Sequence, residues 1–313
     1  MYRNLLVPLD GSAFAEHALP LALSIAKRAG AGITIVHAHH PLAALYVDSP
    51  VLIDSSLESD LMKHKREYLD RVASHLATVS QLRVKPLFMV GEIVETIGRV
   101  AASTEVDLVV MTTHARGPLG RFWLGSVADA LLRHLSVPIL LVRAQEGPAD
   151  YNKDVTFRHI LIPLDGSALA EQILDPSVQF GKLMDTDLTL VRVLSPAMLS
   201  GFGLQGGQIG LQARSIVDRA LAIQKELRKS ASDYLEKMAQ KLRAESLRIK
   251  TIVAEDQQPG VAILREAAAN AADLIALETH GRRGLARMML GSVADKVVRG
   301  ASVPVLLQRP VYG

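Results

Sequence analysis

An internal duplication constrains this chain more than any other feature. LVPLDGSAFAE at 6–16 returns as LIPLDGSALAE at 161–171, and THARGPLGRFWLGSVAD at 113–129 returns as THGRRGLARMMLGSVAD at 279–295. The interval from Thr113 to Ser126 equals that from Thr279 to Ser292. Two copies of one domain fit 313 residues, and each is long enough to bury a core without disulfide or metal. The offset between copies grows from 155 at Asp10 and Asp165 to 166 at Ser126 and Ser292, so the second copy carries extra chain, mostly at 195–215. That stretch and its counterpart at 39–56 read as long loops beside the carboxy edge of a sheet. The reading is a first domain at 1–146, a second at 155–313, and between them a linker, 147–154, holding Gly147, Pro148, Asp150 and Asp154.

Within each copy, runs of Val, Ile and Leu alternate with longer amphipathic stretches, the pattern of βα units around a parallel sheet covered on both faces. Strands are expected near 3–8, 32–38, 83–89, 107–112 and 138–142. In the second copy they are expected near 158–163, 187–193, 247–253, 273–277 and 304–308. Helices are expected near 13–29, 57–80, 92–103 and 125–134. A further stretch, about 213–244, places Ile216, Ala220, Ile223, Leu227, Tyr234 and Met238 at helical spacing and reads as a helix packed on its sheet. The fold class is therefore α/β: two Rossmann-like or flavodoxin-like domains, each a five-stranded, mostly parallel sheet with helices on both faces. The short apolar strands VPILLV and VPVLLQ are edges that invite pairing, and the two copies are expected to form an internal pseudo-dimer through them, with a homodimer of whole chains as a further expectation.

Composition narrows the function classes. Cysteine is absent, which removes thiol and disulfide chemistry and suits a reducing, cytoplasmic setting. A net charge of +3 and 4% aromatics argue against a nucleic-acid surface built on phosphate neutralisation and base stacking. The amino-terminal apolar run, LLVPL, is too short for a signal peptide or a membrane span.

Two constructions could carry chemistry, and each occurs twice. Asp10-Gly11-Ser12 and Asp165-Gly166-Ser167 follow a strand and precede a helix, which places a carboxylate where such sheets bind ligands. Such an Asp can accept from a ribose hydroxyl or an adenine amine, or it can simply fix the turn while Ser caps the helix. The second construction is Gly125-Ser126 and Gly291-Ser292, opening a helix after a basic loop that carries Arg116 and Arg121, or Arg282, Arg283 and Arg287. Glycine lets the backbone approach a phosphate, serine donates, and the first-turn N–H groups favour an anion. The competing reading is a Gly-Ser cap with solvated arginines around it. Gly201-x-Gly203-x-x-Gly206 matches a dinucleotide fingerprint literally, but no strand leads directly into it and no helix opens at its third glycine. His37, His39 and His40 read as solvated loop histidines rather than metal ligands, because the second copy has Arg192 opposite His37. His114 and His280 have no nucleophile beside them and read as loop-fixing or ligand-lining residues.

With these residues in view, the chain resembles a tandem universal stress protein along nearly its whole length. Nucleotide-binding members of that family use a loop of the form G-x2-G-x9-G-S/T. The second copy aligns as Glu278, Gly281 and Gly291-Ser292, the first as Thr112, Ala115 and Gly125-Ser126, so the upstream glycines are eroded unequally. The resemblance implies an adenine-nucleotide binder with a stress-response or regulatory role, taking ATP with Mg²⁺ or Mn²⁺ on its phosphates. It implies phosphate contacts at Gly125, Ser126, Gly291 and Ser292, adenosine contacts at Asp10 and Asp165, and further nucleotide-binding positions at Pro8, Val127, Pro163 and Val293. Ala115, Arg116, Gly281 and Arg282 would line the upstream loop. An unidentified signalling protein is the implied partner. No catalytic residue is assigned; the rival readings are a slow ATP hydrolase and a nucleotide-free interaction module.

Overall fold

The computed structural model describes residues 2–41, 55–113, 124–196, 211–279 and 290–310. The first half contributes β1 (Asn4–Pro8), α1 (Ala13–Glu16), α2 (Leu19–Ala29), β2 (Gly32–His39), α3 (Ser55–Ser80), β3 (Val84–Val90), α4 (Ile93–Ser103), β4 (Leu108–Thr113), α5 (Ser126–His134) and β5 (Ile139–Arg143). The second repeats the order with β6 (His159–Pro163), α6 (Ala168–Glu171), α7 (Leu174–Met184), β7 (Asp187–Leu194), α8 (Leu211–Arg243), β8 (Ile249–Glu255), α9 (Pro259–Ala269), β9 (Leu274–Glu278), α10 (Ser292–Gly300) and β10 (Val305–Gln308). Every expected strand is present, shifted by a residue or two.

Leu5, Leu6 and Val7 are wholly buried, as are Ile160, Leu161 and Ile162. A strand with no polar side chain on either face must lie in a sheet's centre, with layers above and below. β1 accordingly pairs in parallel with β2 on one side and β4 on the other, and β6 does the same with β7 and β9. Each domain is a five-stranded parallel sheet, and the strand order reverses direction between β1 and β4 and between β6 and β9.

The two sheets are one. β10 runs antiparallel to β5, with Val305 opposite Leu141, Leu306 opposite Leu140 and Leu307 opposite Ile139. The result is a ten-stranded sheet, β3-β2-β1-β4-β5-β10-β9-β6-β7-β8. The carboxy-terminal edges of the two copies thus cover one another, and the apolar core on each face draws on both domains. Other contacts cross the same boundary. The Arg143 guanidinium donates to the Arg299 carbonyl at 2.8 Å, and the Tyr2 ring lies 5.1 Å from that of Phe180. The chain from β5 to β6 is anchored to the first domain by the Arg28–Asp154 ion pair and by Val155 N–H donating to Ser24 Oγ.

Two expected helices differ in detail. The stretch 13–29 is two helices, because Pro20 near the start of α2 has no N–H to continue the ladder from α1. His17 and Ala18 turn the chain through tighter bonds to Phe14 and Ala15. The long stretch of the second copy packs on its sheet only in its later half, where Ala231, Leu235, Met238, Ala239 and Leu242 are buried. Ile216, Ile223 and Leu227 are exposed, since β8 ends at Glu255, level with Arg228, and among the described residues no strand lies under the earlier turns.

A chain ended after residue 146 leaves β5 as an open apolar edge. Such a fragment is expected to self-associate where the full chain pairs the edge internally, which sedimentation of the fragment beside the intact protein would reveal.

Candidate functional site

The carboxy ends of β1 and β4, and of β6 and β9, mark the two crevices, where neighbouring strands send their connections to opposite faces. Pro8 and Pro163 close β1 and β6. The turn that follows is the same in both copies. Asp10 Oδ1 accepts from Ser12 N–H at 2.9 Å and from Ser12 Oγ–H at 2.6 Å, while Ser12 Oγ accepts from Ala15 N–H. Asp165, Ser167 and Ala170 repeat these bonds at 2.8, 2.6 and 3.2 Å. Gly11 and Gly166 have φ of +88° and +85°, a left-handed conformation that suits glycine, which is why the turn reads D-G-S twice. The turn-fixing role of these aspartates is therefore built into the fold. Asp10 stands exposed and Asp165 half-buried at the crevice rim.

The second construction is arranged differently. α5 and α10 begin at Ser126 and Ser292 with Gly125 and Gly291 as extended N-caps, and neither helix has a side-chain cap. The first intrahelical bonds are Asp129 N–H to Gly125 O at 2.9 Å and Asp295 N–H to Gly291 O at 2.8 Å. The N–H groups of Ser126, Val127 and Ala128, and of Ser292, Val293 and Ala294, precede those bonds, which makes each helix start a concentration of donors. α1, α4 and α6 carry side-chain caps from Ser12, Glu92 and Ser167, whereas α2, α7 and α9 lack them as α5 and α10 do; the starts of α5 and α10 are set apart by their place beside the crevices. Ser126 and Ser292 are exposed. Gly291 N–H donates to Thr279 O at 2.8 Å, and Thr279 N–H to Gln308 O at 2.9 Å, which fixes the start of α10 against the ends of β9 and β10. Ala115, Arg116, Gly281 and Arg282 lie outside the described residues, as do His114, His280, Arg121, Arg283, Arg287 and Gly201 to Gly206.

The most unusual group in the second crevice is Glu278, the last residue of β9. Its side chain is 7% exposed, neither buried carboxyl oxygen has a hydrogen-bond partner among the described residues, and burial pushes its pKa up to about 9. The carboxyl is neutral at pH 7. From sequence, a glutamate here stands as an anion opposing a phosphorylated ligand; desolvation removes that charge. Gln308 is its cross-strand neighbour on the same face, and Gln308 Oε1 is also buried without a donor among the described residues. A protonated carboxyl is a donor as well as an acceptor, so one proton on Glu278 suits both groups. The first copy has Thr112 and Val142 at these positions and carries no such acid.

The histidines at the end of β2 are not solvated. His37 and His39 are 2% and 3% exposed and stack on Phe88 of β3. α3 lies over them, so that His39 Nε2 meets Glu58 Oε1 at 2.5 Å and the Arg66 guanidinium sits 4.9 Å from the Phe88 ring centre. Burial lowers the pKa of His37 to about 4. The strand continues one residue beyond the expected 32–38, to His39, and Phe88 and α3 cover both histidines.

Glu278 yields a pH prediction whose sign follows from its raised pKa. Stability is fully present below the unfolded carboxyl's value near 4.5 and falls as pH rises toward about 9, by about 3 kcal/mol at pH 7. Glu278→Gln removes this slope. Its melting temperature should exceed that of the parent at pH 8 and approach it at pH 4.5, which thermal unfolding across that range would check.

Comparison with known proteins agrees with this architecture. The sequence model of the universal stress protein family matches residues 1–143 and again 156–309. A universal stress protein of Mycolicibacterium smegmatis is 25% identical over 310 residues, spanning 98% of this chain and 97% of its own length. One from Bacillus subtilis is 30% identical over 153 residues, which is 99% of that protein and 49% of this chain, as one unit of a pair should be. A crystal structure of a universal stress protein from Archaeoglobus fulgidus superposes with a TM-score of 0.66 at 20% identity, covering 98% of this chain and 96% of that one. The twofold family match, the repeated topology and the shared D-G-S and L-G-S-V-A-D segments establish that the chain belongs to the universal stress protein family, as two such domains in tandem.

Proposed function

We propose that the protein binds an adenine nucleotide, ATP by preference, at the carboxy edge of its sheet, in a regulatory rather than a strongly catalytic capacity. The observation that carries this reading is the pair of helix starts at Gly125 and Gly291, each lacking a side-chain cap beside a crevice. Phosphate oxygens complement such a donor cluster, and the partial positive charge of the helix end adds to the attraction. The neighbouring groups fit the ligand. Asp10 and Asp165 stand at the adjacent strand ends, and the neutral Glu278 sets no charge against a phosphate in the second crevice. Mg²⁺ or Mn²⁺, riding on the phosphates, would balance charge that the helix end leaves uncompensated.

The second domain is the favoured site, since it keeps Gly281 of the family pattern where the first has Ala115. Absence of thiols, of a charge pattern for nucleic acid and, among the described residues, of any helix long and apolar enough to cross a membrane fits a cytoplasmic stress-response role. Slow hydrolysis and a nucleotide-free interaction module are the competing readings.

The protein purified without added nucleotide, denatured and examined by mass spectrometry, should release an adenine nucleotide, and ATP with Mg²⁺ should raise its melting temperature. A ligand at a hundred times its Kd stabilises by about 2.7 kcal/mol, an easily read shift. Gly291→Val, which crowds the backbone where a phosphate would lie, should abolish binding in the second site. Neither nucleotide nor thermal shift would sink the reading, and full occupancy in the Gly291→Val variant would move the site to the first domain. Release of ADP that depends on the same residues would distinguish a hydrolase from a binder.

A further inference from the structure

α8 is longer than its counterpart α3, at 33 residues against 26, and its first turns extend beyond the sheet. The ion pair of Arg228 with Glu255, the last residue of β8, marks the level at which the helix leaves the domain. The 17 residues before that level, 211–227, make about 25 Å of helix, at about 1.5 Å per residue. One line along α8 carries Tyr234, Leu227, Ile223 and Ile216. Tyr234 docks against the domain, where its hydroxyl donates to Glu171 and the Arg192 guanidinium lies 5.2 Å from its ring centre. Beyond it, Leu227, Ile223 and Ile216 are 49%, 58% and 43% exposed. Ala220 completes the line with intervals of four, three and four residues, the alternation that lets two helices pack side by side. Leu221, also exposed, stands away from it.

We propose that this overhanging face of α8 is a dimerisation surface for a second copy of the chain, formed as an antiparallel helix pair about a twofold axis. The apolar line matches itself in either orientation, and the flanking charges select the antiparallel one. Ile216 of one copy lies opposite Leu227 of the other, and Ala220 opposite Ile223. The flanking positions are Arg219 and Glu226, neither of which makes an ion pair within the chain among the described residues. In the antiparallel register Arg219 faces Glu226 of the second copy, and the axis makes the contact twice; a parallel pair would set Arg219 against the uncharged Gln224 instead. The surface is separate from the β5–β10 edge, which is already covered. It is also small, about three turns from each chain, so the dimer belongs to the weak class.

Sedimentation equilibrium of the full chain between about 5 and 500 µM tests it. A monomer–dimer equilibrium is expected. Ile223→Glu, on an exposed position that should leave the circular dichroism unchanged, should weaken association about tenfold or more. Arg219→Glu alone should weaken it severalfold, and Arg219→Glu combined with Glu226→Arg should restore it. A chain that stays monomeric across the range overturns the proposal, as does a dimer indifferent to Ile223→Glu and to the single charge reversal. A dimer lost with Ile223→Glu but not rescued by the double reversal also overturns the antiparallel register.

Discussion

The antiparallel contact of β5 with β10 is the constraint on which the rest of the structure depends. A five-stranded parallel sheet ends in a strand whose amide and carbonyl groups need partners, and both domains end in such a strand of mainly apolar residues. Joining the two edges satisfies both ladders and makes the apolar core on each face continuous through the molecule. It also fixes the two crevices at symmetric positions, facing away from each other along the strand direction. Arg143, which reaches across to the end of α10, and Tyr2, which meets Phe180, hold the same arrangement from opposite faces.

Symmetry of the frame does not extend to its sites. Both crevices have the same Asp-Gly-Ser turn and a helix start without a side-chain cap, with Gly291 N–H bound to Thr279 O in the second. The difference lies in side chains beneath them. Glu278 and Gln308 stand in the second domain where Thr112 and Val142 stand in the first, and the buried acid there is neutral. At the end of β2, the first domain has His37 and His39 packed on Phe88, whereas the second has Arg192 packed on Tyr234. A duplicated scaffold has kept its backbone chemistry and let its crevice linings diverge, which is how one fold acquires two environments without altering its core.

Much of this was legible in the chain. Alternating apolar and amphipathic runs locate every strand, because a parallel sheet buried on both faces requires uninterrupted apolar residues such as Leu5 to Val7. The D-G-S turns were legible as turns because glycine and serine are what a left-handed step and a helix cap require. Less legible was anything decided by neighbours distant in sequence. The H-A-H-H string is polar by composition, yet α3 and Phe88 bury two of its histidines. Glu278 is acidic by composition and uncharged in place. The single expected helix at 13–29 is broken by one proline, whose effect depends on whether tertiary packing tolerates a kink or favours a new start.

By itself, then, the sequence determined the repeat, the βα order and the D-G-S turns, since periodicity and turn chemistry are local properties of the chain. The tertiary structure decided which strands become edges and how those edges are closed, which ionisable groups carry charge, and how far α8 extends past its sheet. These depend on desolvation and on the relative lengths of elements brought together from opposite ends of a domain. A linear pattern specifies neither, because both are properties of what surrounds a residue once the chain has closed on itself.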